Sequence, residues 1–249
     1  MIENDYYSLQ TFQEVLQIVT GFRSLEDVRL REPIRYDVPV ARPPKLLCLG
    51  RNYRAHAEEW GSQVPDSPIV FSKLPSSLLP HRGQIEIPRG SGRIDHELEL
   101  ALVIGKKGKR ISAEKAMDYI AGYTIANDIT ARDRQLQDMK KSYPWTISKS
   151  YDTFCPCGPF LIPKDVINDP HQLNMELKVN GTTKQKANTR DMIFKIPDII
   201  AYISYHITLS PGDIICTGTP EGTLPIVAGD RITARIDHLG VLENSVVER

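Results

Sequence analysis

The chain has 249 residues, 41% hydrophobic and 25% charged, a globular composition long enough for one large domain or a domain with an appendage. Lysine plus arginine and aspartate plus glutamate both number 31, and a formal net charge of zero argues against nucleic acid or an anionic membrane as partner. No apolar run reaches transmembrane length, and the opening Met1 to Asp5 places acids where a secretory signal carries bases, so a cytoplasmic protein is expected.

Leu9, Phe12, Val15, Leu16 and Val19 recur at helical steps and predict a helix within Leu9–Val28. Pro39, Pro43 and Pro44 then mark an extended connector, which sets a boundary near residue 44. Residues 1–44 read as a small N-terminal appendage and connector, and 45–249 as the core. The core opens with a short buried strand, Lys45–Gly50. Beyond it, His56 and Glu59 are three residues apart and share a face if the segment is helical, whereas Glu58 does not. A carboxylate beside an imidazole orients the ring and raises its basicity, as a general base requires. An exposed helix with a chance His–Glu pair has the same spacing. Residues 67–88 alternate short apolar runs with prolines and a glycine, the pattern of strands and turns.

The most informative stretch is Asp95–Gly105. Side chains alternate along a strand, so His96, Leu98, Leu100, Leu102 and Ile104 share one face and Glu97, Glu99, Ala101 and Val103 the other. The second face starts acidic and turns apolar. Two adjacent carboxylates there repel each other and are costly to bury unpaired, and a divalent cation is the simplest reason for them. Oxygen-only ligands favour a hard ion such as Mg²⁺ or Mn²⁺ over zinc.

Ile111–Ile120 has a helical pattern with Ser112 as candidate N-cap. Gly122–Thr130 is strand-like, and Asp128 shares its face with the small Thr124 and Ala126, which leave room for a ligand or metal. A helix begins near Ala131 with Thr130 as candidate cap. Lys149 ends an apolar segment, and a stem covering apolar surface with its head in water is the plainer account of it. Leu173–Val179 alternates into Asn180-Gly181, a strong hairpin signal. Ile193–Leu209 reads as a helix with Pro197 near its start, and His206 is assigned no chemistry. Pro211–Gly222 is a turn, a strand and a glycine-rich loop without the Gly-Lys-Ser/Thr ending of a phosphate loop. Gly229–Asp237 alternates as a further strand. Cys48, Cys155, Cys157 and Cys216 form no zinc-type pair of motifs; Cys155-Pro156-Cys157 is either a metal or redox element or, more plainly, reduced thiols in a packed loop. No Gly-x-Ser-x-Gly elbow is present, which disfavours a covalent serine route. Many short strands broken by proline and glycine, with few helices, predict an α+β fold rich in mixed, curved sheet.

Six stretches, GRNYRAHAEEWG, DHELELALVIG, MDYIAGYTIANDITARDRQ, PWTISKSYDTFCP, VNG and LSPGDIICTGTPEG, resemble the fumarylacetoacetate hydrolase family in order and spacing. The resemblance runs from about Lys45 to the last strand and is closest to the family's short branch. It implies that branch's curved sheet and typical homodimer. It implies Glu97, Glu99 and Asp128 as ligands of Mg²⁺ or Mn²⁺, and His56 with Glu59 as a catalytic pair on a lid. Lys149 matches the active-site lysine, and Arg132, Gln135 and Thr219 match positions lining the substrate site. The implied substrate is a small 2-oxo acid. The implied activity is C–C bond cleavage, by acylpyruvate hydrolysis or oxaloacetate decarboxylation, through a metal-stabilised enolate. The alternatives are a 2-hydroxyhepta-2,4-diene-1,7-dioate isomerase/decarboxylase of aromatic catabolism and a non-catalytic metal- and ligand-binding member. One departure stands out: Thr223-Leu224-Pro225 replaces the family's usual valine-glycine-proline turn.

Overall fold

The computed structural model describes residues 35–249; the helix expected within Leu9–Val28 lies outside them. Residues 35–44 carry no helix or strand. The described strands are β1 (Leu46–Gly50), β2 (Ile69–Lys73), β3 (Leu78–Leu79), β4 (Gln84–Ile87), β5 (Ile94–Asp95), β6 (Leu98–Ile104), β7 (Ile120–Asn127), β8 (Thr130–Ala131), β9 (Cys155–Pro163), β10 (Asn174–Val179), β11 (Thr182–Asn188), β12 (Ile214–Cys216), β13 (Arg231–Ile236) and β14 (Gly240–Glu248). Among the described residues the α-helices are α1 (Arg54–Glu59), α2 (Arg132–Lys140), α3 (Thr146–Lys149) and α4 (Ile196–His206). The fold is the α+β, β-rich architecture expected.

Seven strands form a mixed sheet in the order β2-β1-β12-β6-β7-β9-β3, in which β1–β12 and β3–β9 are parallel. The sheet is strongly curled. In a flat sheet β12 and β9, three places apart, would stand roughly 14 Å from each other; here Cys216 and Cys155 on these strands pack into one buried cluster. A five-stranded sheet, β11-β10-β13-β14-β4, packs against it. Leu98, Leu100, Leu102 and Ile104 of β6 enter the main core, while Ala101 and Val103 turn to a second cluster that holds Cys48, Cys155, Cys157 and Cys216, free and buried. Both faces of β6 are therefore covered, as its acidic-to-apolar second face requires.

The Asn180-Gly181 hairpin joins β10 to β11, with both residues at positive φ (51° and 79°), the type I′ pattern. On α4, Ile196, Ile199, Ile200 and Ile203 form a buried stripe; Pro197 sits in the first turn, where its missing N–H costs little. Two expectations are corrected. Ile111–Ile120 is not an α-helix but a 3₁₀ run over Ala113–Tyr119, and Ser112 does not cap it through its side chain. Helix α2 begins at Arg132 as expected, but its N-cap is Ala131 and not Thr130, because Thr130 is held extended in β8 opposite Asp95 and its hydroxyl donates back to the Asp128 carbonyl at 2.9 Å.

Candidate active site

Glu99 lies on β6, Glu97 just ahead of it and Asp128 just past β7. The strand register pairs Leu98 with Asn127 and Glu99 with Ala126, and the Asp128 N–H donates to the Glu97 carbonyl at 2.8 Å. This brings the carboxylates to one end of the central strand pair. An oxygen from each lies within 4.8 Å of the others, and all are buried.

Cations converge on this triad from separate elements. Lys149, the last residue of α3 and 3% exposed, places Nζ 2.7 Å from Glu97 Oε2 and 2.6 Å from Asp128 Oδ2. This is a paired, buried lysine and not a surface-covering one. Lys73, the last residue of β2, donates to Asp128 Oδ1 at 2.7 Å and to the Ile129 carbonyl at 3.2 Å. Arg132 opens α2 with Gln135 one turn on. Its Nε donates to Asp95 at 2.7 Å, Nη1 to Gln135 at 2.5 Å and Nη2 to Glu97. The Trp60 ring stacks on its guanidinium with 4.6 Å from Cζ to the ring centroid.

Glu99 differs from its neighbours. It accepts the Gly218 N–H at 2.7 Å and makes no ion pair among the described residues. Gly218 has φ 95°, and a Cβ there would come within 2.8 Å of Asn52 Cβ, so only glycine delivers this N–H.

His56 and Glu59 lie on α1, with Nδ1 and Oε2 3.3 Å apart. Glu59 also accepts the Gly222 N–H at 3.1 Å, tying the helix to the loop after β12. Thr223, the residue that departs from the family loop, is buried and its hydroxyl accepts from the Trp60 indole N–H at 3.4 Å. Thr219 Oγ1 accepts from Gln185 Nε2 at 2.8 Å, and Gln185 Oε1 in turn accepts the Leu98 N–H.

The protonation states follow from these contacts. Burial disfavours charge on Glu97, but Lys149 and Arg132 outweigh it and hold the carboxyl far below its ordinary range. Burial also disfavours charge on Lys149, but Asp128 and Glu97 outweigh it and the ammonium is held above its ordinary value. For Glu99 the balance tips the other way: burial first, then Asp128 and Glu97, outweigh Lys149 and the Gly218 N–H and push its carboxyl well above the usual range. For Glu59 the burial effect is outweighed by the His56 and Gly222 hydrogen bonds, and the carboxyl is lowered.

The donor set suits a hard divalent ion. It is oxygen-only, it clusters three buried carboxylates, and it leaves Glu99 short of the positive charge an ion would bring. A cavity of about 100 Å³ adjoins the triad. His56, Glu97, Arg132, Gln135, Lys149 and Thr219 supply its polar wall, and Phe71, Leu136, Met139 and Trp145 its apolar wall. Glu99 and Asp128 are not part of the wall. The structure thus brings all nine sequence-chosen residues to one place. Sequence reasoning missed Lys73, Asp95, Gln185 and Trp60. Lys73 carries the same signal as Lys149, a lysine ending an apolar run, and Asp95 shares the face of Glu97 and Glu99.

The model of the fumarylacetoacetate (FAA) hydrolase C-terminal family matches residues 45–247, and the chain belongs to that family. It is 51% identical over 218 residues to an uncharacterised protein of Pyrococcus abyssi, covering 88% of this chain and 96% of that one. It is 44% identical to the mitochondrial oxaloacetate tautomerase Fahd2a of Rattus norvegicus, covering 87% of this chain and 71% of the relative. Among solved structures, fumarylpyruvate hydrolase from Pseudomonas aeruginosa, in complex with Mn²⁺ and pyruvate, superposes with a TM-score of 0.81 at 31% identity, covering 88% of this chain and 100% of that one. A 2-hydroxyhepta-2,4-diene-1,7-dioate isomerase from Mycobacterium marinum gives 0.75 at 38% identity, covering 86% and 77%. The chain is thus a member of an enzyme family with an acidic triad fit for a divalent metal.

Proposed function

We propose that this chain is a Mg²⁺- or Mn²⁺-dependent enzyme that enolises a small 2-oxo acid, and that keto–enol tautomerisation of oxaloacetate is its reaction. The observation that carries the reading is the buried Lys149 ammonium, fixed on Glu97 and Asp128 at the wall of a cavity that His56, paired with Glu59, also lines. Glu97, Glu99 and Asp128 would hold the divalent ion, which would supply Lewis acidity to the developing enolate.

The chain's own residues do the rest. Lys149 stays protonated, so it offers charge and a hydrogen bond to the oxygen where negative charge develops and takes no proton itself. With Nδ1–H donating to Glu59, His56 keeps its Nε2 lone pair free to carry a proton between C3 and the C2 oxygen of the substrate, taking it from one and giving it to the other. Gln135 and Thr219 offer neutral donors to substrate oxygens. The Trp60 ring, stacked on Arg132 and tied to Thr223, covers the site beside α1 and limits water. Tautomerisation needs only this proton movement, and the name of the rat relative weighs in its favour.

C–C bond cleavage is the second reading, and the His56–Glu59 pair favours it, because hydrolysis needs a base for water. The test follows the ultraviolet absorbance of oxaloacetate enol with Mg²⁺ and with chelator, and measures pyruvate and carbon dioxide in parallel. The expected result is metal-dependent ketonisation faster than any release of pyruvate, lost in Lys149→Met. Release of pyruvate from oxaloacetate or acetylpyruvate with no faster ketonisation moves the reaction to cleavage. No effect of enzyme on any of these signals overturns the proposal.

A further inference from the structure

The cavity wall contains one cation that the site itself does not use. Arg132 donates through Nε, Nη1 and Nη2 to Asp95, Gln135 and Glu97, and Lys149 commits two of its three N–H donors to Glu97 and Asp128, leaving the third for the oxygen where charge develops. Arg51 also lines the cavity, half-buried, and among the described residues it makes no hydrogen bond or ion pair through its side chain. It stands directly after β1 and before α1, at φ 58°. A left-handed backbone is uncommon for a residue with a Cβ and is tolerated where the surroundings enforce it. The residue lines the cavity where β1, whose Leu49 and Gly50 line it too, gives way to the helix that carries His56.

We propose that Arg51 binds the distal carboxylate of the substrate, so that the enzyme selects 2-oxo acids with a second carboxylate over those ending in a neutral acyl group. This rests on the reading of the site as one for 2-oxo acids and names the class within it. The chemistry is direct. The 2-oxo and first carboxylate oxygens belong at the acidic triad. A second carboxylate then points along a cavity whose remaining wall is mostly apolar, Leu49, Trp60, Phe71, Leu136, Met139 and Trp145, with Gly50 and Ser62 beside them. An unpaired carboxylate against such a wall is costly. A guanidinium meets it with two parallel N–H donors, and of the cavity's guanidinium and ammonium groups Arg51 alone has them free among the described residues.

Oxaloacetate and acetylpyruvate make a clean pair, because a methyl group in the second replaces a carboxylate oxygen of the first. The experiment compares wild type, Arg51→Met, Arg51→Gln and Arg51→Lys, each checked for folding by its thermal melt. The ratio of kcat/KM for oxaloacetate to that for acetylpyruvate should fall about 10–100-fold in Arg51→Met and Arg51→Gln, mostly through KM, with part of the loss restored in Arg51→Lys. The second arm measures Kd with Mn²⁺ present for 3,3-difluorooxaloacetate and 3,3-difluoro-2,4-dioxopentanoate, neither of which can enolise. Selective weakening of the dicarboxylate supports the assignment even if wild type turns over neither substrate, in which case the proposed reaction fails alone. Equal losses for both ligands, or no loss for either, overturn it.

Discussion

Lys73→Met isolates a contact that the reaction need not touch directly. Lys73 Nζ lies 2.7 Å from Asp128 Oδ1, with side chains 0% and 1% exposed. Removing one member of a buried ion pair costs about 3–5 kcal/mol, because the other charge stays behind in a poor solvent. Asp128 keeps Lys149 at 2.6 Å on its other oxygen, so the cost falls at the low end, about 3 kcal/mol. For a chain of this size each kcal/mol moves Tm by roughly 2–4 °C, which predicts a drop of about 6–12 °C. The assay is a thermal melt in chelator, repeated for Asp128→Asn and for the double variant. The double variant should be less destabilised than the two single losses added together, because the amide introduced by Asp128→Asn leaves no charge stranded when Lys73 is removed. Lys45→Met, whose pair with Asp213 is 26% exposed on the lysine side, serves as a milder comparison. A drop in Lys73→Met of less than about 2 °C, well under the shift expected for a buried pair, or simple additivity, refutes the argument.

Glu99→Gln should act with opposite signs in the two metal states. In chelator it replaces a buried carboxyl whose ionisation its surroundings oppose and raises Tm; with Mn²⁺ it loses most of the stabilisation the ion gives wild type, read by paired melts and by calorimetric titration. The sign with pH follows: a glutamate raised in the folded chain favours folding below its unfolded pKa of about 4.3, and that contribution is lost as pH rises through the folded value. The advantage of Glu99→Gln in chelator should therefore grow with pH. His56→Ala should lower kcat about 10²–10⁴-fold while leaving Mn²⁺ affinity near wild type, since α1 is separate from the strands holding the triad; a large loss of metal affinity would show a structural role. Thr223→Val removes the long contact to Trp60 and should raise KM about 2–10-fold, with little change in Tm.

Local chemistry was the legible part of this sequence. Asn180-Gly181 announces its hairpin because few residues accept positive φ, and the Glu97–Glu99 alternation announces a shared face because strand side chains alternate strictly. Asp128 was legible once small neighbours were noted beside it. Lys73 ends an apolar run as Lys149 does, but its partner was not legible, because it meets Asp128 55 residues along the chain and only the curl of the sheet brings the two together. The same holds for Gln185, a strand residue 34 positions from Thr219 that fixes the hydroxyl it faces. The error at Ala113–Tyr119 arose because apolar spacing alone does not separate a short 3₁₀ run from an α-helix. Arg51 lay inside a recognised stretch, yet its standing as the unused guanidinium depends on the partners of Arg132 and Lys149, which no local pattern records.

Tautomerisation, decarboxylation and hydrolysis differ in their products but share an enol or enolate, so the most direct test looks for it. The C3 protons of oxaloacetate and pyruvate are followed by proton NMR in deuterium oxide with Mg²⁺, for wild type, Lys149→Met and wild type in chelator. The account predicts rapid exchange of C3 protons for deuterium with wild type and Mg²⁺, and exchange at the buffer rate in the other two. Exchange that is unaffected by chelator or by the loss of Lys149, or no enzyme-dependent exchange at all, contradicts it.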